Sequence, residues 1–158
     1  GYYLQNAALE NEHPSQQEIL QTMELNEEKI VEKINTLSEK NNVFVKGMAH
    51  HYLTHSPEFI LNWENVILIR HPKKLIASFS KVIHTPTLSD IGVKKASELF
   101  LFLKKSGETP IVIDSDALLE NPETYLRKFC NLLNIPFSEK MRNSGRWHLG
   151  KTLVRKCS

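Results

Sequence analysis

Apolar and polar positions follow two different periods along this chain, and the changes of period mark out its elements. Val66, Ile67, Leu68 and Ile69 form an unbroken apolar run that ends on Arg70. A short, mostly β-branched run of this kind predicts a strand buried on both faces, as in a parallel α/β sheet. Pro72 follows where a missing N–H costs least, in the first turn of a helix. Leu75, Ile76 and Phe79 continue at helical spacing. Val43 to Lys46 reads as a shorter strand closing on a cation, and Pro110 to Asp114 as a third buried strand closing on a carboxylate.

Helical patterns fill the intervals. Ser15-Gln16-Gln17-Glu18 is a capping box, and residues 27–40 carry Ile30, Ile34 and Leu37 on one face before Asn41-Asn42 ends the run. A helical turn is expected over 48–53, and Ser56-Pro57 opens another through Phe59, Ile60 and Trp63. Ser89 or Asp90 can cap a long helix bearing Val93, Ala96, Leu99, Phe100 and Leu103, with Gly107 as its stop. Pro122 opens an amphipathic helix whose apolar side is Tyr125, Leu126, Phe129, Cys130 and Leu133. Strand, helix, strand, helix, strand, helix implies right-handed crossovers and a parallel sheet. From Ser138 onward the pattern fades, so residues 138–158 read as a loosely ordered C-terminal segment.

Charge narrows the chemistry. Lys and Arg total 20 against 18 Asp and Glu, which leaves no broad basic field for nucleic acid or a membrane surface. Any basic site must be local. No apolar run approaches a membrane span and no leader is visible, and the two cysteines are poor disulfide candidates. Together these features favour a reducing, cytoplasmic setting. The chain opens Gly1-Tyr2-Tyr3-Leu4, without methionine, as a processed terminus or the interior of a longer protein would. Arg70 falls at the carboxyl end of a central strand, where open α/β sheets bind ligands, beside a helix N-terminus that favours anions.

With strand, Arg70, Pro72 and Ser78 in register, the segment resembles the 3′-phosphate-binding motif of sulfotransferases. These enzymes transfer a sulfuryl group from 3′-phosphoadenosine 5′-phosphosulfate (PAPS) to a hydroxyl or amine. Leu118 to Pro122 and Leu132-Leu133-Asn134-Ile135-Pro136 resemble the family's later "Leu-x-x-x-Pro" and "Leu-Leu-x-Ile-Pro" elements. Tyr2-Tyr3-Leu4 with His13-Pro14 is similar to a bacterial and plant branch, some of whose members are fused to aminotransferase-like domains. The likeness covers residues 1–137, read as a partial sulfotransferase-like domain. It implies an α/β fold of three layers, a parallel sheet flanked by helices as in P-loop proteins.

By this resemblance Arg70 and Ser78 contact the 3′-phosphate of PAPS, and Lys46 stands where the family presents its active-site lysine. Two departures limit the comparison. The family's Ser/Thr- and Gly-rich loop, which grips the 5′-phosphosulfate, has no counterpart among the six glycines, so the domain is expected to be N-terminally incomplete and inactive by itself. The family's catalytic histidine falls at Met48, leaving His50 or His51 as the nearest base, with His50 the candidate. The acceptor, a small molecule or glycan, is not legible, and no metal is implied.

Plainer readings stand beside these. Lys46 can be a solvated cation at a strand end, Arg70 can pair with Asp114 or Glu64, and Ser78 can be a small residue that permits close packing. His51 and His55 have helical metal-pair spacing but lack the intervening glutamate of His-Glu-x-x-His. A non-catalytic nucleotide- or protein-binding module is the alternative to an enzyme. A nucleotide kinase would need a Gly-Lys-Ser/Thr loop, which these residues do not contain.

Overall fold

The computed structural model of this protein describes residues 16–49, 57–81, 85, 91–143 and 152–156. The chain divides into two compact units, residues 1–43 with 156–158 and residues 44–155. In the first, α1 (Gln16–Thr22) precedes α2 (Glu27–Ser38). Asn26 starts α2 by accepting the Lys29 main-chain N–H at 2.9 Å, and Glu27 and Glu28 meet the positive end of the helix.

The second unit holds the rest. It begins with β1 (Phe44–Gly47), a 3₁₀ turn (Glu58–Asn62), β2 (Trp63–Ile69) and α3 (Pro72–Phe79). There follow α4 (Val93–Lys105), β3 (Ile111–Asp114), α5 (Ser115–Glu120) and α6 (Pro122–Leu132). A short α7 (Lys140–Asn143) and β4 (Thr152–Lys156), whose last residue is counted with the first unit, complete the described elements. The expected helix from Ser56 through Trp63 is instead a 3₁₀ turn, and Trp63 already belongs to β2. Asn65 accounts for the tight junction. It is buried within β2, and its Nδ2 donates to the carbonyls of Ile60 and Trp63, each at 2.8 Å.

Four strands form one sheet in the order β1-β4-β2-β3. β2 and β3 run parallel, with Ile67 opposite Val112, as the apolar runs predict. The sheet is not parallel throughout, because β1 pairs antiparallel with β4, Phe44 opposite Arg155. Side chains alternate across the β2–β3 pair. Val66 and Ile113 point into a core completed by Leu118, Leu126, Phe129 and Leu133, with Leu68 and Ile111 partly buried against it. Phe44 meets Phe129 edge-on, ring centres 6.4 Å apart. Ile67 and Val112 face the other way.

The two apolar runs are not buried on both faces as the sequence implies: Ile69 and Val112 are each 45% exposed. α4 buries Leu99 and Leu103 completely. It ends at Gly107, whose φ of 87° lets the Glu108 N–H reach back to the Leu103 carbonyl at 2.9 Å. At its start Gly92, with φ 67°, is the N-cap; Ser89 and Asp90, the expected caps, lie outside the described residues.

Candidate functional site

The carboxyl ends of β2 and β3 lie side by side, because Ile69 pairs with Asp114. Each strand turns directly into a helix. After β2, His71 caps α3 by accepting the Lys73 main-chain N–H on its Nδ1 at 3.2 Å, and Pro72 occupies the first turn. After β3, Asp114 caps α5, taking the main-chain N–H groups of Asp116 at 2.8 Å and Ala117 at 3.4 Å. The strand-end carboxylate therefore serves its own helix. This short helix was not legible in the sequence, and it sets the position of Asp116.

Asp116 is the partner of Arg70. Its Oδ1 lies 3.4 Å from Arg70 Nε and 3.4 Å from Lys74 Nζ. The ion pair foreseen with Asp114 or Glu64 is thus corrected to one with Asp116, forty-six residues away along the chain. Arg70 and Asp116 are mostly shielded, with side chains 20% and 16% exposed, whereas Lys74 is 57% exposed. Burial works to raise the Asp116 carboxyl. Hydrogen bonding and charge from Lys74, the His71 main-chain N–H and Arg70 outweigh that and hold it below its ordinary value.

A carboxylate depressed in the folded state contributes stability that is present above its ordinary range and lost as pH falls through the folded value. Melting temperatures measured between about pH 5 and pH 2.5 are expected to fall less steeply for Asp116→Asn than for the native chain. Identical slopes would mean that the carboxylate carries no such linkage.

Beside Arg70 opens a cavity of about 360 Å³. Its floor is formed by Ile67, which is buried, and the half-exposed Ile69 and Val112 of the sheet. Leu75 of α3 and Val93, Ala96, Ser97 and Phe100 of α4 contribute to its walls, together with Met48, Ala49, Ile91 and Gly92. Among the described residues, Arg70 is the one charged side chain in the lining. The half-exposed residues of β2 and β3 are thus cavity surface, which an apolar run cannot distinguish from core.

The other expected site residues are distributed as follows. Ser78 is exposed in the last turn of α3, outside the cavity lining, and has no hydrogen bond to Arg70. At a rise of about 1.5 Å per residue it stands roughly 9 Å along the helix from Pro72. Lys46 is exposed on β1, two residues before Met48 of the cavity wall. His50, His51 and His55 lie outside the described residues. Among the described residues no group of three or more His, Cys, Asp or Glu side chains is arranged to hold a metal ion, and no helix is long and apolar enough to cross a membrane.

Ser115, between the two aspartates, is completely buried, and its Oγ meets no hydrogen-bonding partner among the described residues. Ser115→Ala removes an unsatisfied hydroxyl and improves helix propensity. It is expected to raise stability by about 1 kcal/mol in denaturant unfolding. A loss of stability instead would show that the hydroxyl is bonded in solution.

A family described as "Sulfotransferase domain" matches residues 1–153. The "Branched-chain-amino-acid aminotransferase-like protein 1" of Arabidopsis thaliana is 34% identical over 141 residues, 88% of this chain and 25% of that protein. The "Branched-chain-amino-acid aminotransferase-like protein 2" of the same plant is 32% identical over 141 residues, again 88% of this chain and 24% of the relative. The chain therefore spans about a quarter of the length of these relatives. No solved structure matches it.

Proposed function

We propose, from the premise that this chain belongs to the sulfotransferase domain family, that it forms the 3′-phosphate-binding part of an enzyme using PAPS. The observation that carries this reading is Arg70 at the carboxyl end of β2, immediately ahead of the Pro72 helix and at the edge of a cavity. In the complete fold the sheet is read as the middle of three layers, with helices on both faces as in P-loop proteins. Arg70 and Ser78 are assigned to the 3′-phosphate, Lys46 to the leaving group and His50 to the acceptor proton.

Transfer then proceeds by substitution at sulfur. The acceptor oxygen or nitrogen bonds to sulfur as the bond from sulfur to the bridging phosphate oxygen breaks. Adenosine 3′,5′-bisphosphate departs and the acceptor proton passes to the base. As in phosphoryl transfer, positioning and charge stabilisation supply most of the rate; a lysine near the bridging oxygen aids the leaving group and a base takes the acceptor proton.

The names of the relatives support a parent protein in which this region is joined to an aminotransferase-like one. The test is to incubate the full-length protein with sulfur-35-labelled PAPS and a panel of hydroxyl and amine acceptors. Acceptor-dependent transfer of label is the expected result. Absence of transfer to the whole panel, together with indifference to adenine nucleotides, would favour a second reading: a non-catalytic binding module in which the pairing of Arg70 with Asp116 is purely structural.

A further inference from the structure

α3 begins against the usual charge rule. The positive end of a helix favours acidic residues, yet the first turn of α3 has none, carries Lys73 and Lys74, and lies one residue, the His71 cap, beyond Arg70. Three cations crowd this end, and one described carboxylate, Asp116, is paired with two of them, Arg70 and Lys74. The excess of positive charge leaves room for a further anion.

How Asp116 engages the cations gives it a role. It takes Arg70 by Nε alone, so the two Nη nitrogens, which form the fork that suits a phosphate, have no partner among the described residues. The same Oδ1 holds Lys74. Asp116 is itself fixed, because the Asp114 carboxylate binds its main-chain N–H and that of Ala117. A chain of contacts thus runs from the end of β3, through the first turn of α5, to the guanidinium.

We propose that Asp116 is a positioning residue for the phosphate site, clamping Arg70 through Nε and Lys74 through Nζ so that the Arg70 fork stays aimed outward. Lys74 supplies a second positive charge to the same anion. The inference rests on the reading of Arg70 as a 3′-phosphate ligand, and neither Asp116 nor Lys74 belongs to the motif that carries that reading. A carboxylate beside an anion site is counterproductive on charge alone, and for that reason the two roles give opposite outcomes.

The test is equilibrium binding of adenosine 3′,5′-bisphosphate and of adenosine 5′-monophosphate to the full-length protein and its Asp116→Ala, Asp116→Asn and Lys74→Ala variants. Melting curves check that each variant is folded. Asp116→Ala is expected to weaken the bisphosphate about 10-fold through misalignment of the guanidinium, with little change for the monophosphate. Asp116→Asn, which keeps an acceptor oxygen, should recover part of that loss. Lys74→Ala should weaken the bisphosphate severalfold.

Tighter bisphosphate binding by both Asp116 variants would overturn the inference, since the carboxylate would then be a competitor for the cations. Equal losses for both nucleotides would overturn it as well, by reducing Asp116 to a general structural role. If the native protein already binds the two nucleotides equally, the 3′-phosphate reading fails first and this inference with it. Discrimination that depends on Arg70 but not on Asp116 would sink this inference alone.

Discussion

Leu133→Ala is expected to destabilise the second unit by about 2–5 kcal/mol, while Leu132→Ala, one residue away, changes stability by less than about 0.5 kcal/mol. Leu133 is 2% exposed and packs in the core with Val66, Ile113, Leu126 and Phe129, whereas Leu132 is 67% exposed. Both leucines lie at the end of α6, and their helix propensities are the same. Any difference between the variants is therefore the effect of burial: lost transfer energy plus the cavity left behind. Urea unfolding of the two variants measures it, and the Leu133 variant should melt about 10 °C lower. Similar behaviour of the two would mean that α6 does not pack on the β2–β3 pair as described.

Arg70→Ala is expected to weaken binding of adenosine 3′,5′-bisphosphate by about 10- to 100-fold, the loss of a charge-assisted contact of roughly 1.5–3 kcal/mol. The 5′-monophosphate lacks the group that Arg70 is assigned to hold, and its affinity should change about 2-fold at most. The variant also leaves Asp116 without one of its cations, although Lys74 remains at 3.4 Å. Melting temperature must therefore be followed in parallel. A loss confined to the bisphosphate, in a protein that melts normally, separates ligand contact from structural damage. Equal losses for both nucleotides would contradict the assignment.

Local patterns carried much of this fold. The β2 strand, the Pro72 helix, the long helix ending at Gly107 and the amphipathic Pro122 helix are all set by short-range periodicity and punctuation, and the structure contains each of them. The motif residues Arg70 and Pro72 were legible for the same reason, since a strand end followed by a helix start is a local signal. What escaped was decided at a distance. Pairing of β1 with β4 joins segments more than a hundred residues apart, and no local pattern encodes it.

Asp116 was missed in the same way. Its distinction lies in facing Arg70 across the sheet end, whereas in sequence it is one acidic residue in an ordinary stretch. Asp114 attracted the pairing because it ends a strand, as Arg70 follows one, yet a carboxylate there is better used capping the next helix. Ile69 and Val112 teach the converse lesson. Their hydrophobicity predicted core, and they form the floor of a cavity beside the candidate site. Aliphatic runs at the carboxyl edge of a sheet report burial or a binding surface with the same letters.

Recognition of a 3′-phosphate by this domain is proposed to rest on Arg70. Calorimetric titration of the full-length protein with adenosine 3′,5′-bisphosphate and, separately, with adenosine 5′-monophosphate tests it most directly. Binding of the bisphosphate at least 10-fold tighter than the monophosphate is the predicted result. Equal affinities, or no binding of either nucleotide by a folded protein, would contradict it.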